Sequence, residues 1–312
     1  MATILITGGS GMIGKSLTTH LITQGQKVII LTRTLKKKEP VPDGVSFALW
    51  DINTETIDLE AVSKCDAIVH LAGANVMGKR WTDSYKKEIV ESRTESSALL
   101  VKALEKIETI KTVVSASAIG WYGADKKPLP LKWHGFVETD PPSADFLGQT
   151  CQLWEDSIKP VTSQGKRLAL LRFGIVLGKD GGALREFLKP ITFGIAGVPG
   201  SGRQKMSWIH IDDLCRLIIY ALNNEHISGV YNAVAPEVNS NKDVVCKLAN
   251  LVRPSFHIPI SIPKFALKAA LGEKSIEVLK SATVNSDKIR NEGFTFLYPS
   301  LDAALKELTA KQ

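Results

Sequence analysis

The chain has 312 residues, a hydrophobic share of 44% and a charged share of 23%. These values are typical of a soluble globular protein and exclude a disordered, collagenous or coiled-coil chain. No apolar run approaches the roughly 20 residues that a membrane helix needs, and no basic segment of a signal peptide precedes the first strand pattern. The four cysteines form no Cys-x-x-Cys pair. We therefore expect a reducing cytoplasm, no disulfide framework and no metal.

The net charge is +7, and the tight basic run is Lys36-Lys37-Lys38. Such a run is either a solvated loop or a binding segment for an anion. No aromatic residues interleave with the basic ones, so a nucleic-acid partner is not expected. The remaining partner class is a small, anionic molecule, and the sequence leaves the oligomeric state open.

The first part of the chain alternates strands and helices. Short apolar, β-branched runs are followed by helical spacing, and this alternation predicts a parallel sheet with helices on both faces. The predicted strands are Thr3–Thr7, Lys27–Leu31, Val45–Leu49, Ala67–Leu71 and Thr112–Ser117, and the predicted helices are Met12–Thr23 and a long one over about 83–106, capped by Thr82.

The second part is less regular. A proline-rich loop is predicted over Ala124–Asp145, and loops of this length are usually functional or mobile. The later predicted elements are a helix at Phe146–Ile158, a strand at Arg167–Leu171, an exposed glycine-rich loop at Gly194–Lys205, helices at Asp212–Leu222 and Asn241–Leu251, and three or four short helices before Gln312. Arg253-Pro254 marks a boundary. We expect a nucleotide-binding domain over 1–253, with substrate-lobe segments from about 175, and a small helical domain over 254–312.

A glycine motif, Thr7-Gly8-Gly9-Ser10-Gly11-Met12-Ile13-Gly14, lies between the first strand and the first helix. This context predicts a dinucleotide site, in which the helix N-terminus offers free N–H groups to a pyrophosphate. Gly8 allows the turn, Gly11 lets the backbone approach the phosphates, and Gly14 lets the helix pack on the sheet. The predicted contacts are Gly8, Ser10, Gly11, Met12, Ile13 and Gly14.

The end of the second strand favours NADP(H) over NAD(H). A carboxylate at this point would bind the free ribose hydroxyl of NAD, but the sequence has Thr32-Arg33 and then Lys36. A guanidinium favours the 2′-phosphate of NADP, so Arg33 is the main predicted contact, with Lys36 or Lys37 assisting. The other predicted cofactor residues are Thr32, Asp51 for the adenine amino group, Leu71, Ala72, Gly73 and Ala74 beside the ribose, Arg80 for a phosphate, and Ser115.

Further motifs give a family resemblance. They are His70-Leu71-Ala72-Gly73, the stretch from Ser115 to Gly123, Lys79-Arg80-Trp81-Thr82 leading to Glu91-Ser92-Arg93, Cys151-Gln152-Leu153-Trp154-Glu155, and Gly200–Asp213. Together they resemble an atypical branch of the extended short-chain dehydrogenases/reductases, labelled epimerase family protein or nucleoside-diphosphate-sugar epimerase-like. The resemblance spans nearly the whole chain. It implies an α/β Rossmann fold, a doubly wound parallel sheet with a smaller C-terminal substrate lobe.

The catalytic pattern of that superfamily is incomplete here. A working member uses a Tyr as proton donor or acceptor, a Lys four residues later and a Ser that polarises the carbonyl. Ser117 matches the Ser, but Phe146, Thr150 and Cys151 occupy the stretch where the Tyr and the Lys are expected. Tyr122 is the predicted substitute, with packing or substrate contact as its alternative role.

Other side chains are candidates for catalysis or binding, and each also has a purely structural explanation. Glu138 is either a base or a solvated loop carboxylate, and Cys151 is either a thiolate at a helix start or a buried structural thiol. Arg203 and His210 are the predicted substrate contacts, with an ion pair and a structural role as their alternatives. Arg80 and Arg172 are further candidates for anion binding. Asp212 and Asp213 are interpreted first as helix caps.

Three functions remain open on this sequence. The first is an NADP-dependent oxidoreductase or epimerase acting on a small, nucleotide-linked or other anionic substrate. The second is a non-catalytic NADP(H)-binding sensor or regulator. In an enzyme, Ser117→Ala or Tyr122→Phe should lower turnover and leave cofactor affinity near wild type, whereas a sensor keeps cofactor-dependent partner binding in both variants. The third is RNA binding, which predicts a steep dependence of affinity on salt.

Overall fold

The computed structural model describes residues 1–35, 41–126 and 133–310. The strands in this part of the chain are β1 (Thr3–Thr7), β2 (Lys27–Thr32), β3 (Val45–Asp51), β4 (Thr56–Ile57), β5 (Ala67–His70), β6 (Thr112–Ala118), β7 (Arg167–Phe173), β8 (Ile175–Gly178), β9 (Ile195–Pro199), β10 (Lys205–Met206), β11 (Trp208–His210), β12 (Gly229–Ala233), β13 (Asn239–Ser240) and β14 (Ile258–Ile262).

The α-helices of the described residues follow the predicted order, including the short ones before the C-terminus, and add two that were not predicted, at Leu59–Ser63 and Gly182–Ile191. They are α1 (Met12–Thr23), α2 (Leu59–Ser63), α3 (Asp83–Leu104), α4 (Phe146–Ile158), α5 (Gly182–Ile191), α6 (Ile211–Asn223), α7 (Asn241–Val252), α8 (Lys264–Leu271), α9 (Ser275–Leu279), α10 (Asp287–Asn291) and α11 (Leu301–Thr309). Thr82 caps α3 as predicted, because its side chain accepts a hydrogen bond from the Tyr85 N–H.

One sheet organises the fold. Its eight strands lie in the order β12-β7-β6-β5-β1-β2-β3-β4, and every neighbouring pair is parallel except β3 and β4. From β1 the chain first builds outward through β2 and β3 and then returns to the other side of β1 with β5. This reversal leaves a crevice at the carboxyl ends of β1 and β5, where sheets of this kind bind ligands. The predicted doubly wound parallel sheet is confirmed.

Helices cover both faces of the sheet. Side chains in β1 alternate, so that Ile4 and Ile6 join a core beneath α1 and α6 while Leu5 joins the opposite core beneath α3. Both faces are therefore buried, which is why the strands are apolar throughout their length. Leu17 and Leu100 are fully buried in these two cores.

A smaller lobe has a core of its own around Trp208, with side chains from α5, α7 and α11. The prediction of an exposed loop over Gly194–Lys205 is wrong for the first half of that segment. Ile195–Pro199 forms β9, which pairs in parallel with β14, and its Ala196 and Val198 side chains are buried. The pairing with Ile258–Ile262 comes from a distant part of the chain, so no local pattern could predict it.

The start of α6 differs from the prediction. His210 is the N-cap, because its ring nitrogen Nδ1 accepts a hydrogen bond from the Asp212 N–H. Asp213 is not a cap. Its carboxylate is buried and instead accepts hydrogen bonds from the backbone N–H groups of Leu297 and Tyr298.

Within the described ranges, no helix combines the length and the apolar character that crossing a bilayer requires.

Candidate cofactor and substrate site

The glycine motif forms a tight turn between β1 and α1. Gly8 has a φ of +69°, and a Cβ at this position would lie 2.7 Å from the Leu71 carbonyl oxygen. A Cβ on Gly14 would lie 2.5 Å from the Gly8 oxygen. Gly11 is the N-cap of α1 and offers no side-chain cap, so the first N–H groups of the helix have no side-chain partner there. The turn has no room for a Cβ at Gly8 or Gly14, and the free N–H groups at the start of α1 suit an anion.

Beneath the turn, Thr7 and His70 join β1 to β5. The Thr7 Oγ1 accepts hydrogen bonds from the N–H groups of Leu71 and Ala72, at 3.0 and 3.1 Å. Its own hydroxyl proton then donates to His70 Nδ1 at 2.7 Å. His70 is therefore the Nε2–H tautomer, which places Nε2 as the donor to Ser97 Oγ at 3.1 Å. Burial lowers the pKa of His70 to about 3.

A cavity of about 1120 Å³ opens at the carboxyl ends of β1, β2 and β5. Its size and position suit a dinucleotide. The predicted cofactor residues that line it are Gly8, Ser10, Thr32, Arg33, Asp51, Ala72, Gly73 and Ala74. Gly11, Met12, Ile13, Gly14 and Leu71 are not among the wall residues, so their contacts with a cofactor stay predictions. Lys36 and Lys37 lie outside the described residues.

Four of the predicted cofactor contacts have distinct surroundings. Arg33 is exposed at the end of β2, at the rim of the cavity. Asp51 also lines the cavity, and one of its carboxylate oxygens accepts a hydrogen bond from the Asn53 N–H. Arg80 lies elsewhere, since its Nη2 donates to the Ala269 carbonyl oxygen of α8 and it is not part of the cavity wall. Ser115 is fully buried inside β6 and is also absent from the wall. The cofactor contacts predicted for Arg80 and Ser115 stay predictions.

Helix α3 supplies wall residues that the sequence analysis missed. Glu88, Glu91 and Glu95 line the same cavity, with Lys87 and Ser92 beside them. Their spacing places them on one face of a helix, and that periodicity is the signal that could have identified them. The Ser92 hydroxyl also accepts a hydrogen bond from the Ala74 N–H, which fixes the chain where it leaves β5.

A second cavity, of about 210 Å³, lies between the end of β6, the first half of α4 and the smaller lobe. Leu147 and Cys151, one helical turn apart on α4, both line it. This is the stretch in which the superfamily resemblance places the Tyr and the Lys, so neither a phenol nor an ammonium group comes from α4. The wall residues are Val76, Arg93, Ala118, Ile119, Gly120, Leu147, Thr150, Cys151, Trp154, Phe173, Gly174, Ile175 and Glu277.

The Cys151 thiol is a poor nucleophile in this setting. Burial raises its pKa to about 12, and its Sγ donates to the Ala118 carbonyl oxygen at 3.6 Å. The thiol is therefore protonated at neutral pH, which matches the alternative of a buried structural cysteine.

Ser117 and Tyr122 belong to one buried hydrogen-bond network. The Ser117 hydroxyl donates to Glu155 Oε1 at 2.7 Å, and Arg172 binds both oxygens of that carboxylate, at 2.7 and 3.0 Å. Arg172 also donates to the Tyr122 phenol oxygen at 2.9 Å, and that phenol donates to Asn232 Oδ1 at 2.6 Å.

The hydroxyl groups of Ser117 and Tyr122 are both engaged in hydrogen bonds of this network. Burial raises the pKa of Tyr122 to about 12, and neither Ser117 nor Tyr122 lines either cavity. Their catalytic roles stay predictions. Arg172 does not offer a free guanidinium to an anion, because Glu155 already binds it in two places. Glu138 accepts a hydrogen bond from the Asn232 N–H.

The two predicted substrate contacts lie apart from both cavities. Arg203 is exposed in the turn that follows β9. His210 is fully buried, and its Nε2 lies 3.0 Å from Glu307 Oε2 of α11. Burial lowers the pKa of His210. Substrate contact by Arg203 and His210 stays a prediction, and in this structure His210 connects α6 to α11.

Sequence comparison identifies the family. A model of the NAD dependent epimerase/dehydratase family matches residues 4–144, and a model named domain of unknown function DUF1731 matches residues 262–308. An epimerase family protein of Staphylococcus haemolyticus is 36% identical over 99% of this chain and 99% of its own length. The chain belongs to this epimerase family. The Bacillus subtilis family member YfhF is 33% identical over 98% of each chain.

Solved structures agree with this assignment. The human epimerase family protein SDR39U1, crystallised with NADPH, has a TM-score of 0.84 and 29% identity over 98% of this chain and 99% of its own. A nucleoside-diphosphate sugar epimerase from Corynebacterium glutamicum has a TM-score of 0.76 and 33% identity over 99% of this chain and 58% of its own. The chain therefore shares its fold with a relative that was crystallised with NADPH.

Proposed function

We propose that this epimerase family protein binds NADP(H) in the larger cavity and acts as an oxidoreductase or epimerase on a small substrate in the smaller cavity. The observation that carries the proposal is the placement of Arg33. The larger cavity begins at the glycine turn, and Arg33 lies at its rim beyond β2. The 2′-phosphate of a bound NADP would lie beside Arg33. The NADPH-bound human relative supports the same cofactor.

The residues of the larger cavity fit the parts of this cofactor. The turn at Gly8 and the start of α1 suit the pyrophosphate, Asp51 suits the adenine amino group, and Ala72 and Gly73 leave room for a ribose. No carboxylate follows β2 directly, which disfavours NAD.

The bound cofactor would supply hydride transfer at its nicotinamide ring. The protein's share of the chemistry is binding, orientation and exclusion of water around the smaller cavity. Helix α9 contributes Glu277 to that cavity, so we also propose that the C-terminal segment from 254 onward is the substrate lobe. The absence of a phenol and an ammonium group from the described wall means that proton transfer differs from that of the wider superfamily.

A test compares NADPH and NADH by fluorescence titration on wild type and Arg33→Ala. Wild type should bind NADPH more tightly than NADH, and the variant should lose that difference because one charge-assisted contact of about 1.5–3 kcal/mol is removed. This loss corresponds to about tenfold or more in NADPH affinity.

Arg185→Ala is the matched control, since it removes an exposed arginine of α5 that lies outside both cavities. The control should bind both cofactors like wild type. Equal affinity of wild type for NADPH and NADH would contradict the assignment of Arg33, and failure to bind either would contradict the proposed function.

A cofactor-binding sensor is the second candidate. It is favoured by the burial of Ser117 and Tyr122, whose polar atoms are bound within the protein. A sensor would show partner binding that changes with bound NADP(H) and no turnover on carbonyl substrates.

A further inference from the structure

Arg93 is a buried cation without a carboxylate partner among the described residues. It is 9% exposed, and its guanidinium donates to the carbonyl oxygens of Ile89 at 2.8 Å and Ala74 at 3.1 Å. Carbonyl oxygens solvate a charge but do not neutralise it. Burial lowers the pKa of this guanidinium. An uncompensated buried charge is costly, so its presence points to an anion that is bound during function.

The guanidinium lies at the smaller cavity. Arg93 lines that cavity and stacks on the Trp154 ring, with its Cζ 4.8 Å from the ring centroid. Trp154 lines the same cavity, is 6% exposed, and its indole Nε1 has no hydrogen-bond partner within the described part of the chain. Buried indole N–H groups usually have a partner. A buried charge without a carboxylate partner and an indole N–H without an acceptor therefore belong to two wall residues of one cavity.

The other described wall residues do not neutralise the positive charge of Arg93. The Cys151 thiol is neutral because burial raises its pKa to about 12. Glu277 is the carboxylate on the wall, and its Oε2 is paired with Lys280 Nζ at 2.8 Å. Leu147, Phe173 and other wall residues are apolar. The charged side chains on the described wall are therefore Arg93 and Glu277, and Glu277 has a partner in Lys280.

We propose that the smaller cavity is an anion subsite, in which Arg93 and the indole N–H of Trp154 bind the carboxylate of a small organic acid. The cavity of about 210 Å³ is much smaller than the cavity of about 1120 Å³ at the glycine turn, which favours a small acid. A guanidinium and a neighbouring N–H donor match the two oxygens of a carboxylate. This inference rests on the proposed function and names its substrate class.

The test uses calorimetry with isobutyrate and its neutral isostere isobutyramide, on protein with and without NADPH. Wild type should bind isobutyrate about tenfold or more tightly than isobutyramide, because a hydrogen bond to a charged group contributes about 1.5–3 kcal/mol. Arg93→Met should lose this preference and keep its NADPH affinity. Arg185→Met, at an exposed position on α5, is the control for loss of one positive charge.

Trp154→Phe is the second variant, since it keeps a ring for Arg93 to stack on and removes the N–H. We expect isobutyrate affinity to fall about tenfold in this variant, because the lost N–H donates to a charged carboxylate. Circular dichroism and urea unfolding establish that each variant is folded. If Arg93→Met does not fold, Trp154→Phe and the isobutyramide comparison still decide the outcome.

Three results would overturn the inference. Equal binding of isobutyrate and isobutyramide, or carboxylate binding that survives in both variants, would show that the cavity is not an anion subsite. A loss of NADPH affinity in Arg93→Met would show that the cofactor phosphates are the counter-ion of Arg93. Failure of wild type to bind NADPH would contradict the proposed function instead. The comparison of isobutyrate with isobutyramide on the cofactor-free protein would then test the anion subsite separately.

Discussion

His70 shows how a single buried side chain fixes the floor of the larger cavity. Its Nδ1 must accept the Thr7 hydroxyl proton, because Thr7 Oγ1 already accepts from Leu71 and Ala72. A second proton on the ring would place two donors against each other at Nδ1. Protonation of His70 therefore opposes the contact that holds β1 and β5 together below the glycine turn.

This arrangement predicts a pH dependence of stability. An unfolded histidine titrates near 6.5, whereas burial lowers the pKa of folded His70 to about 3. The unfolded chain therefore binds a proton that the folded protein does not, and stability should fall as the pH decreases from 6.5 toward 3. Between pH 6.5 and pH 5 this group should contribute a loss of about 2 kcal/mol, measured by urea unfolding.

The comparison variant His70→Gln should show a shallower loss of stability over the same pH interval. His226→Gln should keep the wild-type pH dependence, because the His226 side chain is 53% exposed. A wild-type slope in His70→Gln would show that another group causes the loss.

At the scale of elements, the junction of β1 and α1 depends on close backbone contacts. A Cβ on Gly14 would meet backbone atoms of Gly8 and Gly9, both at 2.5 Å, so the turn would have to open. The nearest atom to a Cβ on Gly11 is the Gly8 oxygen at 3.3 Å, which a small shift accommodates. The two glycines therefore have different functions within one motif.

The pair Gly14→Ala and Gly11→Ala separates these functions. Gly14→Ala should lower the free energy of unfolding by about 1–3 kcal/mol, as overpacking does. Gly11→Ala should lower the free energy of unfolding by less than about 1 kcal/mol, the usual difference between N-cap residues. It should also weaken NADPH binding, because the added methyl group would face the cofactor phosphates. Urea unfolding and NADPH titration measure both quantities. Wild-type stability of Gly14→Ala would contradict the packing argument.

For the whole molecule, Asp213 is an anchor between α6 and the C-terminal segment. Its fully buried carboxylate accepts the N–H groups of Leu297 at 2.7 Å and Tyr298 at 2.8 Å, and it also pairs with Arg216 at 2.8 Å. These contacts position the chain just before α11, which in turn packs into the core of the smaller lobe. Asp213 therefore connects α6 to the segment that leads into the smaller lobe.

Asp213→Asn should destabilise the protein by about 2–3 kcal/mol, because an amide NH₂ would face a backbone N–H and one charge-assisted contact would be lost. Limited proteolysis should then cut more readily near Leu297. Asp212→Asn is the neighbouring control, and its side chain is 32% exposed, so its effect should stay below about 1 kcal/mol. Equal effects of the two changes would contradict the role of Asp213.

Local patterns in the sequence predict the parallel sheet, the glycine turn and the cofactor class. These patterns are apolar runs of strand length, helical spacing, and glycines at a turn where backbone contacts exclude a Cβ. Gly8, Arg33 and Ala72 are close to strand ends along the chain, and strand ends of a parallel sheet share one edge. The residue types therefore sufficed to place them beside one cavity.

Tertiary structure alone decided the smaller cavity and the polar core behind it. Arg93 meets Trp154, and Arg172 meets Glu155, only after helices α3 and α4 pack against the sheet. Strand β9 exists because β14 pairs with it from a distant segment. A side chain's charge is visible in the sequence, but whether a carboxylate compensates that charge depends on which segments the fold brings together. Within the described ranges a carboxylate pairs with Arg172 and none pairs with Arg93.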